Sequence, residues 1–120
     1  MVVYISGAIT GTKDYRERFC NAENEILERG FYDEDVITIN PAKILSGLPK
    51  GTSHEVYMSV ALRLLNLADI MVLLDGWVES KGCKQELKFA QTHEIEVFSY
   101  DEFMARNTFS LPKRDREAYI

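Results

Sequence analysis

Cysteine and histidine are scarce in this chain, two of each, and neither pair is spaced for metal or redox work. Cys20 and Cys83 stand far apart without the spacing of zinc ligands, and His54 and His93 add no cluster, so neither a disulfide scaffold nor a metal site is expected. A reducing compartment fits. Basic residues are outnumbered, with 14 Lys and Arg against 19 Asp and Glu for a formal charge of −5, and they form no long run. That balance argues against broad binding to a nucleic-acid polymer, whose phosphates reward clustered cations, but it leaves room for a local anion site. No apolar segment approaches the length of a membrane span, and the chain opens directly on a strand-like run rather than a signal peptide. The expected location is cytoplasmic, with no membrane partner.

What the sequence does contain is an alternation of short apolar runs and amphipathic stretches. With 120 residues, 46% hydrophobic and 28% charged, it reads as one soluble domain with a modest core. Val2-Val3-Tyr4-Ile5 is a first strand, ended by the small-residue loop Ser6 to Gly11. Tyr15, Phe19, Ala22 and Ile26 recur at helical spacing, and Gly30 closes that helix. Val36 to Ile39 is a second strand, halted by Asn40-Pro41. The segment from Ala42 to Gly51, with Gly47, Pro49 and Gly51, has many breakers and is read as an irregular, mobile loop.

Thr52-Ser53-His54-Glu55 has the capping-box pattern, and Val56, Val60, Leu64 and Leu67 continue as the apolar face of a helix. Ile70 to Leu74 is a continuous apolar run suited to a strand buried on both faces. The loop Asp75 to Gly82 and a helix marked by Cys83, Leu87 and Ala90 follow it. Ile95 to Phe98 is a fourth strand, and Ser99 to Glu102 starts a brief last helix. Residues 107–120 are too polar to fold alone, with Phe109, Leu111 and Tyr119 available to dock on a partner subunit. A dimer or higher homo-oligomer is therefore expected, with residues 1–106 as the folded domain.

Strands alternating with helices predict an α/β three-layer sandwich of the flavodoxin or Rossmann-like kind, with a mostly parallel sheet in the order 2-1-3-4. In that order the first and third strands are neighbours, and a crevice opens at their carboxyl ends. The loops Ser6 to Gly11 and Asp75 to Gly82 both empty into it. Gly7 and Gly11 either turn the chain tightly or let backbone approach a ligand, with Ser6 and Thr10 as hydroxyl donors. Ser80 and Gly82 open a helix, where they serve as a plain cap or receive a phosphate on free N–H groups. Glu86, at the border of the apolar face, is either a solvated surface glutamate or a partly desolvated carboxylate able to act as nucleophile or base at an anomeric carbon. Its i−4 and i+4 neighbours, Gly82 and Ala90, offer it no cation. Asp75 at the strand exit is expected to point toward the site, Asp69 at the strand start to act as a cap, and Trp77 to stack on a base or cover the sheet edge. Tyr4 reads as core with a hydroxyl within reach of the crevice.

Taken together, Tyr4 to Gly11, Asn40-Pro41-Ala42, Ala68-Asp69, Gly76-Trp77 and Ser80-Lys81-Gly82 with Glu86 resemble the nucleoside 2-deoxyribosyltransferase-like superfamily. More narrowly they resemble the small phage and bacterial proteins grouped as DUF4406, over about the first hundred residues. They are also similar to the 2′-deoxynucleoside 5′-phosphate N-hydrolases. The resemblance implies cleavage or exchange of the N-glycosidic bond of a deoxynucleoside or its 5′-monophosphate, without metal or organic cofactor. It puts Glu86 on the glutamate that attacks the deoxyribose, Tyr4 on the tyrosine that orients it, and Ser80 and Gly82 on the phosphate loop. Gly7, Ala8, Ile9 and Gly11 fall on the loop around the sugar phosphate. Two departures stand out. Ala61 occupies the position of the aspartate that protonates the leaving base, and the first loop has Thr10 and Lys13 in place of an arginine. Leaving-group protonation would then fall to Asp75, His54, water or a partner subunit. The alternative is a non-catalytic nucleotide-binding or interaction module.

Overall fold

The computed structural model describes residues 1–31 and 35–109. Four strands, β1 (Val2–Ser6), β2 (Ile37–Ile39), β3 (Ile70–Leu73) and β4 (Glu96–Ser99), form one parallel sheet in the order β2-β1-β3-β4. The register pairs Tyr4 with Ile39 on one side and with Met71 on the other. Both the mixed α/β class and the strand order match the expectation from sequence. Among the described residues no helix is long and apolar enough to cross a membrane.

The alternation of side chains along β1 and β3 sorts the core into two layers. Val3, Ile5, Ile70 and Val72 pack with Phe19, Ala22 and Ile26 of α1 (Tyr15–Arg29) and with Phe103 of α5 (Tyr100–Ala105). Tyr4, Met71 and Leu73 face the other way, against Leu65 of α3 (His54–Asn66) and Ala90 of α4 (Lys81–Thr92). Covered on both faces, β3 is wholly buried, which is why its sequence is a continuous apolar run. Asp69, read from sequence as a cap, accepts the Val2 N–H through Oδ2 at 2.8 Å and ties the start of β3 to β1.

Four local expectations need correction. The segment after β2 is not irregular: Pro41–Ile44 forms a short helix, α2, followed by a 3₁₀ turn over Leu45–Gly47. Asn40 caps it by accepting from the Lys43 N–H at 3.2 Å, and proline in the first helical position is compatible with a helix rather than a breaker. The cap of α3 is Ser53, whose Oγ accepts from the Val56 N–H at 3.2 Å. Thr52 is engaged in the turn before it, donating through N–H and Oγ1 to the Pro49 carbonyl. The buried face of α3 is accordingly Met58, Ala61 and Leu65, while Val56 is 52% exposed. Finally, Phe109 docks on its own chain, with its ring centroid 5.1 Å from Phe103 and 5.6 Å from both Phe31 and Phe98. Leu111 and Tyr119 lie outside the described residues.

Candidate active site

Because β1 alternates, Tyr4 and Ser6 project from the sheet toward α4. On α4, Cys83, Glu86 and Ala90 are spaced three and four apart and are all buried, so Glu86 belongs to the sheet-facing side rather than to its border. The three residues meet. The Tyr4 hydroxyl donates to Glu86 Oε2 and the Ser6 hydroxyl donates to Oε1 at 3.0 Å. Glu86 is 6% exposed. Burial pushes its carboxyl up from the ordinary 4.5 to about 7, and the two hydroxyl donors hold it from rising further.

The neighbouring acids respond to the same environment. Tyr4 is pushed well above its usual range by burial and then by the charge of Glu86. Tyr57 is pushed up to about 12 by burial and the same charge. Burial likewise raises the Cys83 thiol, with Ser6 and Ser80 hydroxyl contacts partly offsetting it. Neither tyrosine nor the thiol is an anion near neutral pH, which leaves Glu86 as the group of this cluster that changes charge there.

Glu86 and Tyr4 lie on a cavity of about 270 Å³, near the lower end of the size range of small-molecule sites. Ile9, Phe19, Pro41 and Met58 give it apolar walls, and Thr10, Thr52, His54 and Ser80 give it polar ones. Ser80 caps α4, its Oγ accepting from the Cys83 N–H at 3.1 Å. The Lys81 and Gly82 N–H groups precede the intrahelical ladder, as the first donors of any helix do. The start of α4, through Ser80 and Gly82, therefore borders the same cavity as the buried carboxylate.

Of the residues singled out from sequence, Glu86, Tyr4, Gly7, Ile9, Ser80 and Gly82 line the cavity, and Ser6 stands behind it on Glu86. Gly7 lets the backbone pass close to the core. A Cβ there would sit 3.0 Å from Phe19 Cε1 and Cζ and 3.2 Å from Leu74 Cδ1. Gly7→Ala is therefore expected to destabilise the fold by about 1–3 kcal/mol, read as a lower urea midpoint; an unchanged midpoint would contradict the close packing. Ala8 and Gly11 turn the loop without lining the cavity: the Ala8 carbonyl accepts from Arg18 Nη2 at 3.0 Å, and Gly11 has φ +81°.

Trp77 and Asp75 are elsewhere. Trp77 packs on the Tyr4, Met71 and Leu73 layer, covering the sheet rather than facing the cavity. Asp75, expected to point into the crevice, is exposed and lines a separate cavity of about 220 Å³ with Arg18, Glu25 and Tyr100. The strand alternation stops with β3 at Leu73: Leu74 faces α1, its N–H bonded to the Ser6 carbonyl at 2.8 Å, and the turn that follows, with Gly76 at φ +88°, leaves Asp75 on that same side. Conversely, Phe19, Pro41, Thr52, Tyr57, Met58 and Cys83 line the site without having been anticipated there. Among the described residues no group of three or more His, Cys, Asp or Glu side chains is placed to hold a metal ion. Comparison with curated proteins and with solved structures gives no match. Residues 1–99, which carry all four strands, Tyr4, Ser6, the Ser80 cap and Glu86, match the sequence profile of the domain of unknown function DUF4406, and the chain belongs to that family.

Proposed function

We propose that this protein cleaves or exchanges the N-glycosidic bond of a deoxynucleoside or its 5′-monophosphate, as a member of the wider deoxyribosyltransferase-like group, with Glu86 as the nucleophile. The observation that carries the reading is the buried Glu86 carboxylate, held by two hydroxyls in the wall of a cavity. A glutamate paired with no cation and poised near neutrality costs stability, and such tuning is a mark of catalytic carboxylates. In the reaction, one Glu86 oxygen bonds to C1′ as the C1′–N bond breaks and the base departs with the electron pair. Water, or a second base, then attacks C1′ and restores the carboxylate. Tyr4 and Ser6 fix the carboxylate rotamer, and the Ser80 turn offers its hydroxyl and N–H donors to a 5′-phosphate. The chemistry calls on no cofactor.

A second reading, a nucleotide-binding module without turnover, is favoured by one observation. Among the described residues lining the cavity, Glu86 is the sole carboxylate, and Ala61, where the acid of similar enzymes would stand, is a buried alanine. The two are separated by incubating the protein with the deoxynucleosides and their 5′-monophosphates and assaying free base. Quenched protein is also digested to look for a deoxyribosyl ester on the peptide carrying Glu86. Base release with the adduct is the expected result. Binding of a monophosphate with no base released, with or without an added acceptor base, would favour the module.

A further inference from the structure

We propose that His54 is the acid that protonates the departing base, in a proton-transfer role that no carboxylate of the cavity fills; this rests on the glycosidase reading above. The cavity has a direction. Glu86 is at its buried end and His54, in the first turn of α3, is at its exposed rim, both lining the same space. Displacement at C1′ is in line, so a nucleophile at the buried end sends the leaving base toward the rim. Among the described lining residues, the other groups with a proton to give are hydroxyls, the tyrosines and the buried Cys83, none of which is a strong enough acid near neutrality. Imidazole is the side chain suited to that transfer.

The ring is also held. His54 Nε2 lies 2.9 Å from Gln85 Oε1, and an amide oxygen accepts, so Nε2 keeps its hydrogen in either charge state. The proton that is gained and lost is then the one on Nδ1. Gln85 adjoins Glu86 on α4, so one helix carries both the nucleophile and the group that orients the acid. As the C1′–N bond breaks, its electron pair goes to the base nitrogen and the Nδ1 proton neutralises the base. In the second half-reaction the neutral imidazole takes a proton from the attacking water, returning His54 to its starting form.

The test separates leaving groups that need a proton from those that do not. Wild type, His54→Ala and His54→Gln are assayed on the natural deoxynucleoside 5′-monophosphates and on two activated probes, 7-methyl-2′-deoxyguanosine 5′-monophosphate and 4-nitrophenyl 2-deoxyribofuranoside 5-phosphate. Both variants are expected to lose about 10²- to 10³-fold in kcat/KM, which reports departure of the base and not the later attack of water, on natural substrates and less than about threefold in kcat/KM on a probe that wild type turns over. Equal losses on both kinds of substrate would overturn the proposal, as would a His54→Gln variant that keeps wild-type rates, because glutamine retains a hydrogen bond to Gln85 but has no proton to give. Failure of wild type on every substrate would sink the glycosidase reading itself. Base release by wild type with no leaving-group dependence in the variants would leave that reading standing and remove His54 from it.

Discussion

Glu86→Gln is expected to abolish base release, lowering turnover on the order of 10⁴-fold, as removal of a covalent nucleophile does, while the cavity persists. The amide has nearly the shape of the carboxylate, and its oxygen can still accept from Tyr4 or Ser6. Wild type should in turn show an acidic limb of kcat/KM that rises with pH through a midpoint near 7, because a protonated Glu86 cannot attack C1′ and the free enzyme holds this carboxyl at about 7. A midpoint near the ordinary 4.5 would mean that the carboxylate is solvated in the working enzyme. Retained turnover in Glu86→Gln would remove Glu86 as nucleophile.

The layer order of this fold was readable because each strand is short, apolar and followed by a helical pattern, so chirality and crossover rules left few windings. The position of Glu86 was half readable. Its spacing from Cys83 and Ala90 put it near the apolar face, but which oxygen partners awaited it depended on β1, more than eighty residues earlier. Tyr4 sits in a strand buried on both sides, so no alternation of polar and apolar residues announces which face its hydroxyl reaches. The resemblance, not the pattern, pointed to it.

The misreadings share a physical cause: one residue type can serve two purposes. Asn40-Pro41 does halt β2 as read, but the proline is also the first residue of α2, with Asn40 as its cap, in a segment read as irregular from its prolines and glycines. Thr52 and Ser53 are adjacent hydroxyl residues, either able to cap, and the turn at Pro49 claimed the first. The buried face of α3 centres on Met58, Ala61 and Leu65, with Leu64 and Leu67 partly buried beside it, and His54, one turn before Met58, lies on the same side and on the cavity. Asp75 failed for a simpler reason. A loop at the right sheet edge has two faces to choose from, and the turn after β3, where the alternation of the strand no longer holds, decides between them.

The second large effect is on stability. Glu86 titrates at about 7 in the folded protein against an ordinary 4.5, so between those values the folded state holds a proton that the unfolded chain releases. Its contribution is present in full below about 4.5 and is lost as pH rises to about 7. At about 1.4 kcal/mol per pH unit, the loss is roughly 3 kcal/mol, a large share of what a small domain has to spare. Glutamine does not ionise. The difference in unfolding free energy between Glu86→Gln and wild type should therefore move by roughly 3 kcal/mol in favour of the variant between pH 4.5 and pH 8, then stay level. Urea titrations of both proteins across that interval measure it, and subtraction cancels every other titrating group the two share. A difference that stays flat with pH would show that Glu86 ionises as freely in the fold as outside it. The buried carboxylate would then lose its significance, and with it the strongest support for chemistry at this site. A difference of the expected sign, with activity rising over the same interval, would tie the stability lost on ionising Glu86 to the nucleophile gained.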